Sequence, residues 1–231
     1  MKIGLVIPIL NNFDQAVDMI YSAKTDYELK IYIQPQYRYQ VPLAAAWNTG
    51  IRQAIADKCD VIIVSNDDVL FSEKTITYLA RETMAMPEDY VMAFPVDVFD
   101  DLIDPTQILW DDEVTGDETK SIEDQSFACF AIRSDFFDKC GTFDENFDPA
   151  WWEDTDMKYR IKLLGFRTFQ TSIPYVHIRH QTTKKLTSPL NSLKSGQYYE
   201  KKWGSARKDL KEAYRNPYNN PNINPKEWRL Q

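Results

Sequence analysis

Apolar and polar positions follow two different periods along the N-terminal half of the chain. Short β-branched runs, each ended by Pro, Asn or Asp, alternate with longer segments whose apolar residues recur at helical spacing. The run DVIIVS at 60–65 has a continuous apolar centre, which is typical of a strand buried on both faces. This alternation predicts βαβ units and a mostly parallel α/β sheet flanked by helices. The predicted strands are 3–9, 29–34, 60–65 and 90–95, and the predicted helices are 14–23, 43–57 and 72–84.

The pattern becomes less regular after Pro95. Residues 97–124 are acidic and lack a clear period, which predicts a loop or a short hairpin. Residues 126–132 are apolar again, and the following pattern predicts a short helix at 134–139, a strand from 171 that leads into a basic loop, and a helix at 190–202. We therefore predict one domain over residues 1–205, with halves at 1–95 and 96–205, and an irregular tail over 206–231.

The segment WWEDTDMKYRIKLLGFR at 151–167 is the most informative part of the chain. A helix begins there, and its free N–H groups and dipole favour the three acids of its first turn, Glu153, Asp154 and Asp156. Three apolar residues at helical spacing should face the core: Met157, Ile161 and Leu164. Three basic residues should remain in solvent: Lys158, Arg160 and Lys162. Three acids behind two tryptophans indicate a site, and a capped helix without a further role is the alternative.

Two adjacent acids follow the most apolar strand, in SNDDVLF at 65–71. Ligands of open α/β sheets bind beyond the carboxyl ends of the strands, so Asn66, Asp67 and Asp68 should face a crevice. Adjacent carboxylates repel each other unless a cation or hydrogen bonds compensate. A divalent ion that bridges a diphosphate would do so, because Mg²⁺ commonly takes one or two carboxylates together with phosphate oxygens. An Asx-turn at the strand end is the alternative.

Composition narrows the classes of partner and the compartment. The formal net charge of -8 argues against nucleic acid or anionic lipid as the main partner. No apolar run reaches the length of a transmembrane helix, and MKIGLVIPIL lacks a small-residue cleavage site and predicts a buried strand. Cys59, Cys129 and Cys140 are odd in number and lack metal-ligand spacing, so we expect them to be reduced and buried. This favours the cytoplasm, or a host's cytoplasm for a viral chain.

Several segments follow one another in an order that occurs in a known group of enzymes. They are a first strand ending at Pro8 and Asn11, AAWNTGI at 45–51, NDD at 66–68, residues 127–141, FDE at 143–145, EDTD at 153–156, Arg160 with GFR at 165–167, His177, and YYEKKWG at 198–204. This order resembles the GT-A glycosyltransferases, most closely the family 2 group that includes many rhamnosyl- and galactofuranosyltransferases. Trp47 stands where that family usually has Arg. The resemblance covers about residues 1–205.

The resemblance implies a GT-A fold, a Rossmann-like sheet with a smaller acceptor-side β region. Residues 1–95 would bind a nucleotide sugar, and residues 96–205 would face the acceptor. A divalent metal, Mn²⁺ or Mg²⁺, would be bound by Asp68 and His177, with His180 or a purely structural His177 as alternatives. Asp154 would be the general base and Glu153 its rival, whereas Asp156 would fix the helix or a neighbouring loop.

Further residues are implied to contact the two substrates. Relatives usually end the second strand with an Asp that contacts the nucleoside; Gln34 stands near that position, and an amide can also bind a base edge. The implied donor-binding residues are Pro8, Asn11, Gln34, Asn48, Asn66, Asp67, Arg179 and Lys184. Arg179 and Lys184 would close over the diphosphate, or else belong to a solvated basic loop. Trp151 and Trp152 would line the acceptor site, although aromatic residues also serve as core anchors.

The implied reaction transfers a hexose or deoxyhexose from a nucleotide diphosphate sugar to a hydroxyl of a glycan. Precedent in family 2 favours inversion with Asp154 as base, and retention stays open. A non-catalytic protein that binds nucleotide sugars or glycans is one alternative. A sugar nucleotidyltransferase is another, but such enzymes normally have a Gly-rich phosphate loop near the first strand, and residues 10–12 contain no Gly. The oligomeric state is not determined by these patterns.

Overall fold

A computed structural model of the protein describes residues 1–10, 13–36, 41–97, 125–178 and 189–203, with only the backbone described at 189–191. The predicted tail lies outside these ranges, as does the predicted acidic loop beyond its first residue. The described elements, in chain order, are β1 (Lys2–Ile9), α1 (Phe13–Ser22), β2 (Glu28–Pro35), α2 (Leu43–Ala56), β3 (Val61–Ser65), β4 (Val69–Phe71), α3 (Thr75–Ala85), β5 (Tyr90–Asp97), β6 (Cys129–Arg133), α4 (Phe136–Cys140), α5 (Glu153–Leu163), β7 (Arg167–His177) and α6 (Pro189–Trp203).

The described strands form one sheet in the order β2-β1-β3-β6-β5-β7-β4. β1 pairs in parallel with β2 and β3, and β5 pairs in parallel with β7. β6 runs antiparallel between β3 and β5, and the short β4 runs antiparallel to the end of β7. Most of the strands therefore share one direction, and the predicted α/β fold class is confirmed. The β4–β7 pair forms a smaller β region at one edge of the sheet, and both predicted halves of the domain contribute strands.

Both faces of the sheet are covered by apolar side chains. Every residue of β3 is buried, as the uninterrupted apolar run predicts. Its odd-numbered apolar residues belong to the core cluster that contains Leu79 of α3. Its even-numbered ones belong to the cluster that contains Met157 of α5. Because successive side chains of a strand point to opposite faces, β3 connects two separate apolar layers.

Helix α2 lies directly against β1 because Gly50 has no side chain. A Cβ atom at this position would overlap the side chain of Val6, which is fully buried in β1. The close approach brings the next turn of α2, which contains Trp47 and Asn48, into the interior. A small residue at one position of the helix thus fixes how α2 sits on the sheet.

Helix α3 begins three residues after its predicted start at residue 72, so Ser72 is not its N-cap. The helix begins at Thr75, and its N-cap residue is Lys74, which makes no side-chain capping bond. The hydroxyls of Ser72 and Thr75 lie 2.9 Å apart, and the Ser72 N–H donates to the Thr75 hydroxyl at 3.1 Å. The hydroxyl of Ser72 therefore stabilises the turn that precedes the helix.

The predicted division of α5 into a core face and a wet face is also partly wrong. Met157 and Ile161 are buried as expected, but Lys158 and Arg160 are buried too. Lys158 Nζ donates to the carbonyl oxygen of Gln125 at 2.9 Å. Arg160 contacts Asp156 at 3.0 Å and donates to a carbonyl oxygen of the α4 region at 3.2 Å. Asp156 is on the same helix, but the two carbonyl oxygens belong to segments before α5, so helical periodicity alone did not reveal them.

Candidate active site

The predicted donor-side residues of β1, β2 and β3 lie together at the carboxyl ends of these parallel strands, which form one edge of the sheet. In the parallel register of β1 and β2, Pro8 is paired with Gln34, and Asn66 directly follows β3. Pro8 is buried, whereas Gln34 and Asn66 are partly exposed. Gln34 Nε2 donates to Gln53 Oε1 of α2 at 2.7 Å, and the Asn66 N–H donates to the Ala128 carbonyl oxygen at 2.8 Å. This edge is where ligands of open α/β sheets bind.

Trp47 and Asn48 occupy the interior next to this edge. The Trp47 ring lies 5.0 Å from the ring of Phe143 in a core cluster of aromatic side chains. Asn48 is fully buried, and its Nδ2 donates to the Phe143 carbonyl oxygen and to Glu145 Oε1, both at 2.8 Å. The Phe143 N–H donates to Asn48 Oδ1 at 2.9 Å. Asn48 therefore attaches α2 to the segment after α4, and its predicted contact with the donor stays a prediction.

Two strand pairings bring His177 between two carboxylates. His177 ends β7 and is paired with Val69 of β4, so it lies beside Asp68, and the Ile178 N–H donates to the Asp68 carbonyl oxygen at 2.8 Å. His177 Nε2 lies 3.2 Å from Asp68 Oδ1. On the other side of the ring, His177 Nδ1 lies 3.6 Å from Oδ2 of Asp97, the last residue of β5. Burial lowers the pKa of His177, but the hydrogen bonds and charges of Asp68 and Asp97 outweigh it and raise the pKa to about 9.

The pair of Asp68 and His177 fits a divalent ion that is also bound by a substrate. Two adjacent ligands of an octahedral ion, each about 2.1 Å from it, are separated by about 3.0 Å. The observed separation of 3.2 Å between Asp68 Oδ1 and His177 Nε2 is close to this value. Among the described residues, no group of three or more His, Cys, Asp or Glu side chains is arranged to hold a metal ion. An ion bound here would therefore need ligands from substrate or water, as Mg²⁺ sites commonly do.

Glu153 begins α5 as a buried acid. Its side chain is 4% exposed, and its Oε2 atom is buried without a hydrogen-bond partner among the described residues. Burial and then the neighbouring charge of Asp154 raise the pKa of Glu153 to about 8. Asp154 is partly exposed, and its Oδ1 accepts the Thr155 N–H at 2.7 Å. Two adjacent carboxylates therefore have different environments, which is typical of sites that use one as an acid and one as a base.

The two tryptophans before α5 have an unusual backbone. Trp151 has φ = 71° and Trp152 has φ = 75°, in the left-handed region that bulky side chains rarely occupy. Such strain costs about 1–3 kcal/mol per residue and is frequent at functional sites. The Trp152 ring packs 5.1 Å from the ring of Tyr199 on α6. The strained turn therefore anchors Trp152 to α6 and sets the direction from which the chain enters α5.

A buried cluster of charges attaches α6 to α5, and we call it the Lys202 cluster. Lys202 Nζ lies 2.7 Å from Asp144 Oδ2 and 2.6 Å from Asp156 Oδ1. Asp156 also accepts from Arg160 at 3.0 Å and from the Trp203 indole N–H at 2.6 Å. Neither Asp144 nor Lys202 is among the predicted site residues, although both occur in the segments on which the resemblance rests.

The segment 125–128 connects α5 with the loop that follows β3. Its Gln125 carbonyl oxygen accepts from Lys158 of α5, and its Ala128 carbonyl oxygen accepts from the N–H of Asn66. The loop with the predicted metal-binding acids and the helix that begins with the predicted general base are therefore both hydrogen-bonded to the same short segment. The predicted donor-binding residues Asn11, Arg179 and Lys184, and the alternative ligand His180, lie outside the described residues.

No protein-family model and no curated protein matches this chain. It is similar to the solved structure of a Drosophila β1,4-galactosyltransferase 7 mutant in complex with manganese, UDP-Gal and xylobiose, at 13% identity over 84% of this chain and 79% of that chain, with a TM-score of 0.55. It is also similar to the catalytic domain of Drosophila β1,4-galactosyltransferase 7 in complex with xylobiose, at 12% identity over the same shares, with a TM-score of 0.57.

These similarities confirm the predicted GT-A fold. At this level of identity they leave the suggested rhamnosyl- and galactofuranosyltransferase group as a prediction. In the part of the chain that the structure describes, no helix has the length and apolar character needed to cross a membrane.

Proposed function

We propose that this protein is a divalent-metal-dependent glycosyltransferase. It would transfer a hexose or deoxyhexose from a nucleotide diphosphate sugar to a hydroxyl of a saccharide. The observation that carries the proposal is the pair of Asp68 and His177, 3.2 Å apart, in a GT-A fold. One of the two similar solved structures contains manganese, UDP-Gal and xylobiose, which supports the same classes of metal, donor and acceptor here.

The donor would bind along the edge formed by β1, β2 and β3. Gln34 would contact the base or ribose, Pro8 and Asn66 would line the carboxyl ends of these strands, and Asp67, which directly precedes Asp68 in the chain, would also contact the donor. When bound, a divalent ion held by Asp68 and His177 supplies positive charge that stabilises the departing diphosphate. Only two protein ligands are available among the described residues, so we expect the metal to bind more tightly when the nucleotide is present.

Asp154 would accept the proton of the attacking acceptor hydroxyl, and inversion would follow from direct attack. Its partial exposure allows contact with an acceptor, whereas Glu153 is enclosed and largely protonated at neutral pH, since its pKa is raised to about 8. Asp154→Asn should reduce transfer by roughly 100- to 10,000-fold, the usual contribution of a general base. Donor affinity should remain within about twofold, since uncharged Asn has almost the same shape. Equal losses of transfer and donor binding would contradict this role.

The two tryptophans divide the roles that the sequence left open. Trp152 would be the core anchor, because it packs against Tyr199. Trp151 would provide a wall of the acceptor site, since aromatic faces stack on sugar rings. Trp151→Ala should raise the KM for the acceptor and leave the KM for the donor unchanged. If only the donor KM rises, Trp151 belongs to the other substrate.

The first experiment is a screen of UDP-, GDP- and dTDP-sugars, each with Mn²⁺ and with EDTA. Thermal stabilisation by one donor in the presence of Mn²⁺, with slow release of its nucleoside diphosphate, would support the proposal and identify the donor. Binding without release under any condition would favour a non-catalytic binding protein. Pyrophosphate release from a nucleoside triphosphate would indicate a nucleotidyltransferase instead.

We also propose that the protein works in a reducing compartment, such as the cytoplasm. All three cysteines of the chain are free and buried. Burial raises the pKa of the Cys129 thiol, which makes the reactive thiolate scarce at neutral pH. Under native conditions, thiol titration should find three reduced cysteines that react slowly.

A further inference from the structure

Asp97 lies on the side of His177 that faces away from Asp68. It is the last residue of β5 and is paired with Tyr175 of β7, two residues before His177. Residues two apart in a strand point to the same face, so Asp97 and His177 are diagonal neighbours across the β5–β7 pair. The side chains are 13% and 18% exposed, and Asp97 Oδ2 lies 3.6 Å from His177 Nδ1. Asp97 is not among the predicted site residues, because it begins the acidic stretch 97–124, for which the pattern predicts a loop or a short hairpin.

The two ring nitrogens of a neutral histidine have different tasks when one of them binds a metal. One nitrogen must offer its lone pair, and the other then carries the proton and needs an acceptor. At His177, Nε2 is the nitrogen next to Asp68, at the separation expected for two adjacent ligands. Nδ1 is the nitrogen next to Asp97. The two nitrogens point away from each other, so a carboxylate at Nδ1 does not share an ion bound at Nε2.

We propose that Asp97 is a positioning residue that accepts the Nδ1–H proton of His177 and thereby directs the Nε2 lone pair toward a divalent ion bound with Asp68. This inference rests on the metal site of the proposed function. Carboxylates that orient metal-binding histidines in this way typically contribute 10- to 100-fold to metal affinity. Asp97 thus links the end of β5 to the metal site through His177, without contacting the metal itself.

The test measures Mn²⁺ binding to the full chain, by the electron paramagnetic resonance signal of free Mn²⁺, with and without saturating UDP. We expect Asp97→Ala to weaken Mn²⁺ binding roughly 10- to 100-fold. Asp97→Asn should retain much of the affinity, because its amide oxygen still accepts the Nδ1–H. Asp68→Asn should lose more affinity than either, since it replaces a ligand. Asp89→Asn is the matched control at an exposed carboxylate, 51% exposed and paired with Arg167, and should leave affinity unchanged.

A second measurement reports the position of the proton directly. The chain has only two histidines, so the long-range ¹H–¹⁵N spectrum of its imidazoles is simple to assign. With Mg²⁺ and UDP bound, His177 should be the Nδ1–H tautomer in the wild type and in Asp97→Asn. At the Mg²⁺ concentration that just saturates the wild type, part of the Asp97→Ala protein should have no metal on His177, and signals other than the Nδ1–H form should appear. A merely structural role of Asp97 would leave the tautomer unchanged.

The outcomes separate this inference from the proposed function. If Asp68→Asn loses Mn²⁺ binding while Asp97→Ala binds within twofold of the wild type and keeps its tautomer, the metal site stands and the role of Asp97 is refuted. If the wild type does not bind Mn²⁺ even with UDP, the metal site and the role of Asp97 both fail. Should Asp97→Ala not fold, the tautomer in Asp97→Asn decides, because loss of the Nδ1–H form there would also overturn the inference.

Discussion

Replacing Lys202 with Met should destabilise the protein by about 3–5 kcal/mol, the usual cost of breaking a buried ion pair from one side. Lys202 is 7% exposed and contacts Asp144 and Asp156 at 2.7 and 2.6 Å. Asp156 would keep Arg160 as a partner. Asp144 would lose its ion pair with Lys202 and keep neutral donors, among them the Tyr198 hydroxyl at 2.9 Å. We therefore expect most of the cost to arise at Asp144.

The assay is urea unfolding at pH 7, followed by circular dichroism. For a chain of this length the loss corresponds to a fall in Tm of roughly 6–20 °C. Lys201→Met is the matched control, because Lys201 is the exposed neighbour on the same helix, and its substitution should change stability by less than about 0.5 kcal/mol. A loss below about 1 kcal/mol for Lys202→Met would refute the view that the Lys202 cluster stabilises the fold.

The pH dependence gives an independent check. Burial opposes the ionisation of Asp144, but the charge of Lys202 and the bonds from Asn146 outweigh it, so its pKa lies below the ordinary 3.8. A carboxyl with a lowered pKa contributes stability above its unfolded pKa and loses it as the pH falls through the folded pKa. The stability difference between wild type and Lys202→Met should therefore narrow below about pH 4. A difference that stays constant into that range would contradict the assignment to Asp144.

Three further sets of substitutions test other features of the fold. Burial raises the pKa of Glu153 from 4.5 to about 8, so the stability that this group provides below pH 4.5 is lost as the pH rises through 8. The Tm of Glu153→Gln should therefore rise relative to that of the wild type from about pH 6 to 9. A Tm difference that stays constant over this range would contradict the raised pKa. Lys58 is exposed with φ = 59°, so Lys58→Gly should stabilise by about 1 kcal/mol in chemical unfolding while Lys58→Ala should not. Gly50→Ala should lower the free energy of unfolding by about 1–3 kcal/mol, and adding Val6→Ala should restore part of that stability. Purely additive losses in a double-mutant cycle would exclude an overlap between the new Cβ atom and Val6.

The sequence alone determined the order and type of most elements. The uninterrupted apolar run of β3, the alternation of short strands with helices, and the acids at the start of α5 are local features, and they depend on residues close together in the chain. Such patterns also located the edge shared by Pro8, Gln34 and Asn66, because parallel strands end on the same side of a sheet. The resemblance to GT-A glycosyltransferases assigned roles to Asp68, His177 and Asp154, and the observed fold agrees with that class of enzymes.

Only the tertiary structure decided which polar residues are buried together. Lys158 and Arg160 were expected in solvent, but each donates to a backbone carbonyl oxygen of a segment before α5, and no helical period registers such a distant acceptor. Asp97 and His177 meet because β5 pairs with β7, and Asp68 joins them because β4 pairs with the end of β7. These strand pairings depend on long-range packing, since a short strand has the same local pattern whichever neighbour it takes. The order of the strands in the sheet therefore decides which residues lie next to His177, and this order is known only from the folded structure.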